Sequence, residues 1–365
     1  MVLYEEQQFV GATCGVGIDD ENILWTEWKD GNLYRLNIKS YDCELVGIPN
    51  EFGHCGKMFS SMIKNREKVY MIAYSDAYEV MEYDINSNKL RLLYLHMMKG
   101  IQIFNSFLVE DNIYLFPSSL AGDICIYSLK DNKADYISWE HILLDINCCL
   151  KDKVINVNQC GENIYGVICD TSYVFRLSML SGIKCDVYQL DEKYKVGSVS
   201  VVENDLYITL MEHRILLCIN QDGEVREIKC FESEEECEET ENYYSMSVII
   251  DQEIFLFPFE GNNEIQIVNR QTMKQRKLIY PNKFKKRRSG RFFWKPILFK
   301  NYLYLLPYSG NGILHIEING NKIEYVKWKN KGICAYIDNI LASNKIGNKE
   351  FNMNLGKAIY QKVNL

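Results

Sequence analysis

The sequence predicts an all-β protein in which seven four-stranded antiparallel units close into a ring, followed by a short, partly helical tail. Three observations carry this expectation. A short motif with an apolar centre recurs at Asn22-Ile23-Leu24, Lys68-Val69-Tyr70, Asn112-Ile113-Tyr114, Asn163-Ile164-Tyr165, Asp205-Leu206-Tyr207, Glu253-Ile254-Phe255 and Tyr302-Leu303-Tyr304. The third residues of these motifs stand 46, 44, 51, 42, 48 and 49 residues apart. That period suits a four-stranded unit and is too long for a leucine-rich repeat. Around each motif, short apolar and β-branched runs alternate with polar breaks, the periodicity of strands and not of paired helices.

Residues 1–8 precede the first complete copy, and either add a strand at the ring seam or stay loose. The first copy, 9–51, carries Trp25 and Trp28, whose spacing breaks strict alternation. They read as packing between units or as a platform for a stacked ligand. The second copy, 58–98, has a hairpin turn at Asn86-Ser87-Asn88. The third, 103–141, shows the pattern most fully, with apolar runs over 103–109, 113–116, 124–129 and 134–139. Its breaks include Glu110-Asp111 and Lys130-Asp131-Asn132-Lys133, the latter with hairpin-turn composition. The fourth, fifth, sixth and seventh copies cover 154–193, 196–230, 243–281 and 291–330. Closing such units into a ring removes most exposed sheet edges. The tail, 331–365, places apolar residues at three-to-four spacing in two stretches, and is expected to form two short helices packed on the ring.

Composition agrees. The chain has 365 residues, 47% of them hydrophobic, with 25 Tyr and 16 Phe, which suit pleated half-buried surfaces. Thirteen Cys contain no Cys-x-x-Cys pair, and many lie inside strand runs, where a thiol packs as a small apolar group. The adjacent Cys148-Cys149 has no partner at a zinc-like offset. The first residues lack a basic segment followed by an apolar stretch, and no run is long enough to span a membrane. A cytoplasmic monomer without cofactor or metal is therefore expected. A net charge of −8 argues against general nucleic-acid binding.

These copies resemble the blades of a seven-bladed β-propeller, broadly similar to kelch, WD-repeat and YVTN-type propellers, over residues 9–330. The Trp-Asp dipeptide of WD repeats and the paired glycines of kelch blades are missing. Three copies share their own variant, Leu115-Phe116-Pro117, Leu256-Phe257-Pro258 and Leu305-Leu306-Pro307, in which proline stops strand pairing. The resemblance implies the architecture and transfers no catalytic residue.

In propellers the first strand of each blade lines a central channel. Nine residues before each motif's third position stand Gly15, Ser61, Asn105, Asn156, Ser198, Met246 and Lys295, with Ser245 and Trp294 adjacent. Small and polar residues there either relieve crowding at the axis or form a hydrogen-bonding ring for a small polar ligand or a peptide end. Lys295 and Trp294 would bring a positive charge and an aromatic face to the channel mouth.

Two charge runs link later copies. One contains Glu234, Glu235 and Glu236, the other Lys285, Lys286, Arg287 and Arg288. They read as solvated loops or as a bipolar docking patch for a protein partner. Enzyme signatures are weak. The five His share no metal-binding spacing, no Gly-x-Ser-x-Gly elbow occurs, and Asp19, Asp20, Glu110, Glu203 and Asp251 fall where hairpin turns are expected. The expected function is a non-catalytic scaffold that binds a protein partner through one loop face. The alternative is a propeller hydrolase or lyase acting on a carbohydrate or other polar substrate at the channel mouth.

Overall fold

The computed structural model describes residues 12–27, 31–54, 58–143, 153–179, 184–211, 213–230, 244–258, 264–284, 295–307 and 311–327. Strands appear where the apolar runs predict them. The first sheet holds β1 (Ala12–Gly17), β2 (Asn22–Glu27), β3 (Leu33–Asn37) and β4 (Cys43–Gly47). The second holds β5 (Phe59–Asn65), β6 (Lys68–Ala73), β7 (Ser75–Asp84), β8 (Lys89–Val109), β9 (Asn112–Pro117), β10 (Ile124–Ser128) and β11 (Lys133–Ile137). A short helix, α1 (Trp139–Ile142), precedes the third sheet of β12 (Ile155–Cys160), β13 (Asn163–Ile168), β14 (Tyr173–Ser178) and β15 (Lys184–Gln189). The fourth contains β16 (Val196–Val202), β17 (Asp205–Leu210), β18 (Ile215–Ile219) and β19 (Val225–Lys229). The fifth contains β20 (Tyr244–Ile250), β21 (Glu253–Pro258), β22 (Glu264–Asn269) and β23 (Gln275–Ile279). The last contains β24 (Ile297–Phe299), β25 (Tyr302–Leu305), β26 (Gly312–Glu317) and β27 (Ile323–Lys327).

Local turn chemistry fixes the meander. Between first and second strands, Arg66, Glu110, Glu203, Asp251 and Lys300 adopt φ of 54°, 53°, 53°, 51° and 54°. Positive φ at the first turn residue marks the primed turns whose twist matches that of paired strands. Between third and fourth strands, Asn37, Asp84 and Asn269 side chains accept hydrogen bonds from backbone N–H groups of the turn they open.

Sheets and expected units differ at one place. The described residues form six sheets, one of seven strands, because β8 does not stop between the second and third copies. Its first part pairs with β7 from Lys89 to Gln102, and its last part pairs with β9 from Ile103 to Val109. Only Lys99-Gly100 interrupts the strand-forming sequence here, and Gly100 takes φ 85° to bulge outward without breaking the strand. A second difference lies at Trp139, expected to end a strand. Ser138 instead caps α1, its hydroxyl accepting from the Glu140 N–H at 3.2 Å.

Burial grades outward within each sheet. Second strands such as β6, β9 and β21 are buried almost throughout, and fourth strands such as β11, β15 and β19 are largely exposed. The core is accordingly divided among the gaps between neighbouring units. One apolar cluster joins the β1–β4 unit to the β5–β8 unit. Others join each following unit to the next. A final cluster packs Trp25 and Tyr34 of the first sheet on Ile297, Tyr304 and Ile313 of the last. Trp25 is fully buried and stacks on Tyr34 at 4.7 Å, which settles it as packing between units.

A recurrent backbone bond also joins neighbours. The Ile103, Ile155 and Val196 N–H groups, where inner strands begin to pair with second strands, donate to the carbonyls of Tyr74, Ser118 and Thr171 in the preceding unit. At the seam, the Ala12 N–H donates in the same way to the Pro307 carbonyl at 2.9 Å. The first and last sheets thus meet as any two neighbours meet, and the ring closes. The tail at 331–365, Trp28 and Cys148-Cys149 lie outside the described residues.

Candidate functional site at the channel mouth

The first strands follow one another around the axis, β1 beside β5, β5 beside β8, and on through β12, β16 and β20, with β24 beside β1. Where their leading ends converge, a cavity of about 650 Å³ opens. Asn105 on β8, Asn156 on β12, Ser198 on β16 and Lys295 just before β24 all stand on its wall. The placement follows from strand periodicity, since these residues occupy one register position in successive units.

Lys295 reaches across the channel, and its Nζ donates to the Phe104 carbonyl on β8 at 2.9 Å. Around the ring, β24 and β8 are separated by β1 and β5 on one side and by β12, β16 and β20 on the other. The contact therefore spans the axis. Asn105 and Asn156 side-chain amides make no hydrogen bond among the described residues and are half-buried. Ser198 Oγ is engaged with Thr209 Oγ1 at 2.7 Å, so it shapes the wall more than it offers a donor.

Other expected positions fall differently. Gly15 is small for a local reason, since a Cβ there would meet Ile297 Cδ1 at 2.5 Å and the Leu24 carbonyl at 2.8 Å. Ser61 lies buried on β5, outside this cavity wall. The backbone of Ser245 belongs to β20, whose Tyr244, Met246 and Ser247 line the cavity. Trp294, Glu234, Glu235, Glu236, Lys285, Lys286, Arg287 and Arg288 lie outside the described residues. Glu110, Glu203 and Asp251 occupy positive-φ turn positions between first and second strands, at the opposite ends of the inner strands from the mouth. Asp19 accepts from the backbone N–H groups of Glu21 and Asn22, a turn-capping role.

Three further contacts shape the site. Lys153 and Asp170 form an ion pair of 2.6 Å on the cavity wall. Asn158 projects from β12 two residues beyond Asn156, and its amide donates to the Val199 carbonyl at 3.4 Å. The partner of Lys295 is a backbone carbonyl, and side-chain patterns carry no signal for it.

The described lining consists mainly of amides, hydroxyls and apolar side chains, with few titratable groups. Among the described residues lining the cavity, Asp170 is the only carboxylate and no His is present. Burial pushes the Cys14 thiol up to about 11, against the opposing pull of the Thr26 hydroxyl and the Lys295 charge. It stays protonated at neutral pH and is a poor nucleophile. Cys169, which does line the wall, donates its thiol hydrogen to the Gly197 carbonyl at 3.0 Å. No cluster of three or more metal-ligating side chains occurs among the described residues. None of their helices is long and apolar enough to cross a membrane.

A ring of radial antiparallel sheets around a channel defines this chain as a β-propeller protein. It is similar in fold to YCF48 from Cyanidioschyzon merolae, with a TM-score of 0.61 at 8% identity over 86% of this chain and 97% of that one. Virginiamycin B lyase from Staphylococcus aureus matches with a TM-score of 0.54 at 12% identity over 73% of this chain and 83% of that one. A computationally designed protein, Ika8, matches with a TM-score of 0.56 at 11% identity, over 87% of each chain. No family model and no curated protein matches the sequence. An enzyme and a designed protein share the fold, so the fold does not select a function.

Proposed function

We propose that this protein is a non-catalytic β-propeller that binds a protein partner on the channel-mouth face, with one end of the partner entering the cavity. The observation that supports this reading is the pair of unspent amides, Asn105 and Asn156, beside an ammonium fixed across the channel. Among the described residues such a wall offers hydrogen bonds and a positive charge, while its one carboxylate, Asp170, is tied to Lys153 and leaves no free donor and acceptor poised as a pair. General acid–base chemistry needs such a pair within reach of one substrate. The acidic run with Glu234 and the basic run with Lys285 to Arg288 precede Tyr244 and Lys295 in the chain, and in this reading they extend the contact surface.

Filling the mouth tests the proposal. The double variant Asn105→Leu, Asn156→Leu keeps the strands but removes both amides. Wild-type protein is expected to retain a discrete partner in cross-linking pull-downs. The variant should lose at least about nine-tenths of it, with an unchanged melting temperature. Equal capture by the variant would contradict the reading. So would a metabolite turned over by wild-type protein and spared by the variant.

A further inference from the structure

We infer that the face opposite the channel mouth carries a second site, between the second and third units, that recognises the guanidinium of an arginine. It is independent of the partner-binding reading above. A cavity of about 500 Å³ opens between two hairpin turns, Arg66-Glu67 joining β5 to β6 and Glu110-Asp111 joining β8 to β9. Tyr70 of β6 forms part of its wall. Tyr70 is 4% exposed, and its hydroxyl makes no hydrogen bond among the described residues.

The repeat shows what that hydroxyl lacks. Tyr165 holds the same position in the fourth unit and donates at 3.1 Å to Asn204 Oδ1, in the turn between the first two strands of the next unit. Asp111 stands in the third unit where Asn204 stands in the fifth, since Val109-Glu110-Asp111 and Val202-Glu203-Asn204 lead alike into second strands. Tyr70 and Asp111 line one cavity and are not hydrogen-bonded to each other. A hydroxyl this deep without a partner carries a desolvation cost that a hydrogen-bonding guest would remove. Burial first, then the Glu82 charge against the pull of Arg91, holds the Tyr70 phenol above its ordinary value. It stays neutral at physiological pH and can accept an N–H from the guest.

The lining charges set the sign of the guest. Lys68 Nζ is tied to Glu82 at 3.0 Å, and Glu82 also accepts from Arg91 Nε at 2.8 Å. Glu67, Glu110 and Asp111 form no ion pair among the described residues, and neither does Arg66. Three carboxylates therefore face one guanidinium around the opening, in a chain whose net charge is −8. A concave wall of that sign draws a cation.

The placing of the carboxylates sets its shape. They stand on two separate turns, and no cluster of three or more metal-ligating side chains occurs among the described residues. A compact metal ion is poorly served by such a spread. A guanidinium is planar, carries N–H donors on every edge and is more weakly hydrated than an ammonium. One edge can engage a carboxylate of the Glu110-Asp111 turn in a bidentate pair while another donates to the Tyr70 oxygen. About 500 Å³ also leaves room for the aliphatic stem behind the guanidinium, within the range of roughly 300–1,000 Å³ common for ligand sites.

The test is an NMR titration of the isotope-labelled full chain, following the backbone amides of Glu67 and Asp111. The probes are N-acetyl-arginine N-methylamide and its citrulline and lysine counterparts. Citrulline keeps the shape of arginine and drops its charge. The arginine compound should saturate the shifts at a concentration at least about tenfold lower than either counterpart. The double variant Glu110→Gln, Asp111→Asn should abolish that preference, and Tyr70→Phe should weaken arginine binding several-fold. Asp111→Asn copies the residue at Asn204 in an equivalent turn, and unchanged circular dichroism checks that both variants fold. Equal binding of arginine and citrulline compounds, or a preference that survives the double variant, would overturn the inference. Lysine binding as tight as arginine would make the site one for any ammonium, and displacement of the arginine compound by equimolar calcium would make it a metal site. Either result would contradict a guanidinium site. Free L-arginine binding more tightly than the blocked compound would assign the guest as the free amino acid, and the reverse order as an arginine side chain within a polypeptide, with guanidinium recognition upheld by both.

Discussion

Glu79→Ala is expected to destabilise the ring by about 3–5 kcal/mol, the range for leaving one member of a buried pair without its partner. Glu79 lies on β7, and its Oε1 is 2.5 Å from Nδ1 of His54, with both side chains fully buried. His54 follows the 3-10 turn Pro49–Phe52 that carries the chain from the first sheet to the second, and it stacks on Phe59 at 4.4 Å. The pair thus ties the connection between two units to the body of the second. Removing the carboxylate leaves the imidazole in an apolar gap that water cannot reach, so the desolvation cost of His54 stays while its compensation goes. His54→Ala should cost a similar amount, and the double variant should cost clearly less than the sum, because the second change removes the stranded group. Urea unfolding of the four proteins in the cycle measures this. A loss below about 1 kcal/mol for Glu79→Ala would mean that the pair is not held in the folded protein.

Trp25→Ala should cost about 3–5 kcal/mol as a large-to-small change in a filled core. Its place makes the consequence larger than local. Trp25 sits with Tyr34 in the cluster that joins the first sheet to the last, where Ile297, Tyr304, Leu306 and Ile313 complete the packing. A torus has one seam that chain connectivity does not hold, and here side-chain packing and the Ala12-to-Pro307 hydrogen bond hold it. The variant is expected to lose protection of β1 and β25 amides in hydrogen exchange before the rest of the ring. Uniform loss of protection across all sheets would show that the seam is no weaker than any other interface.

Much of this architecture was legible in the sequence. The motif ending at Leu24, Tyr70, Tyr114, Tyr165, Tyr207, Phe255 and Tyr304 falls on second strands, because those positions are buried on both faces and tolerate only apolar side chains. Turn residues such as Glu110 and Asn132 were legible too, since positive φ restricts what can stand there. The run-through of β8 was not, because Lys99-Gly100 looks like a break and becomes a bulge only when β7 extends far enough to pair past it. Register arithmetic placed Asn105, Asn156, Ser198 and Lys295 near one another. It could not show that Lys295 would choose the Phe104 carbonyl, nor that Lys153 would meet Asp170, since neither depends on a repeated position. The His54–Glu79 pair, separated by 25 residues and lying off the register, had no signal at all.

Closure of the ring underlies both the channel and the site at its mouth, and an engineered disulfide tests it most directly. A backbone hydrogen bond of 2.9 Å joins Ala12 to Pro307, and disulfides span Cα separations of about 4.4–6.8 Å. The double variant Ala12→Cys, Pro307→Cys should cross-link on mild oxidation, give the expected linked peptide by mass spectrometry, and raise the urea midpoint. A variant that folds with wild-type circular dichroism yet stays unlinked under the same oxidation would show the two ends apart, and would contradict a closed ring.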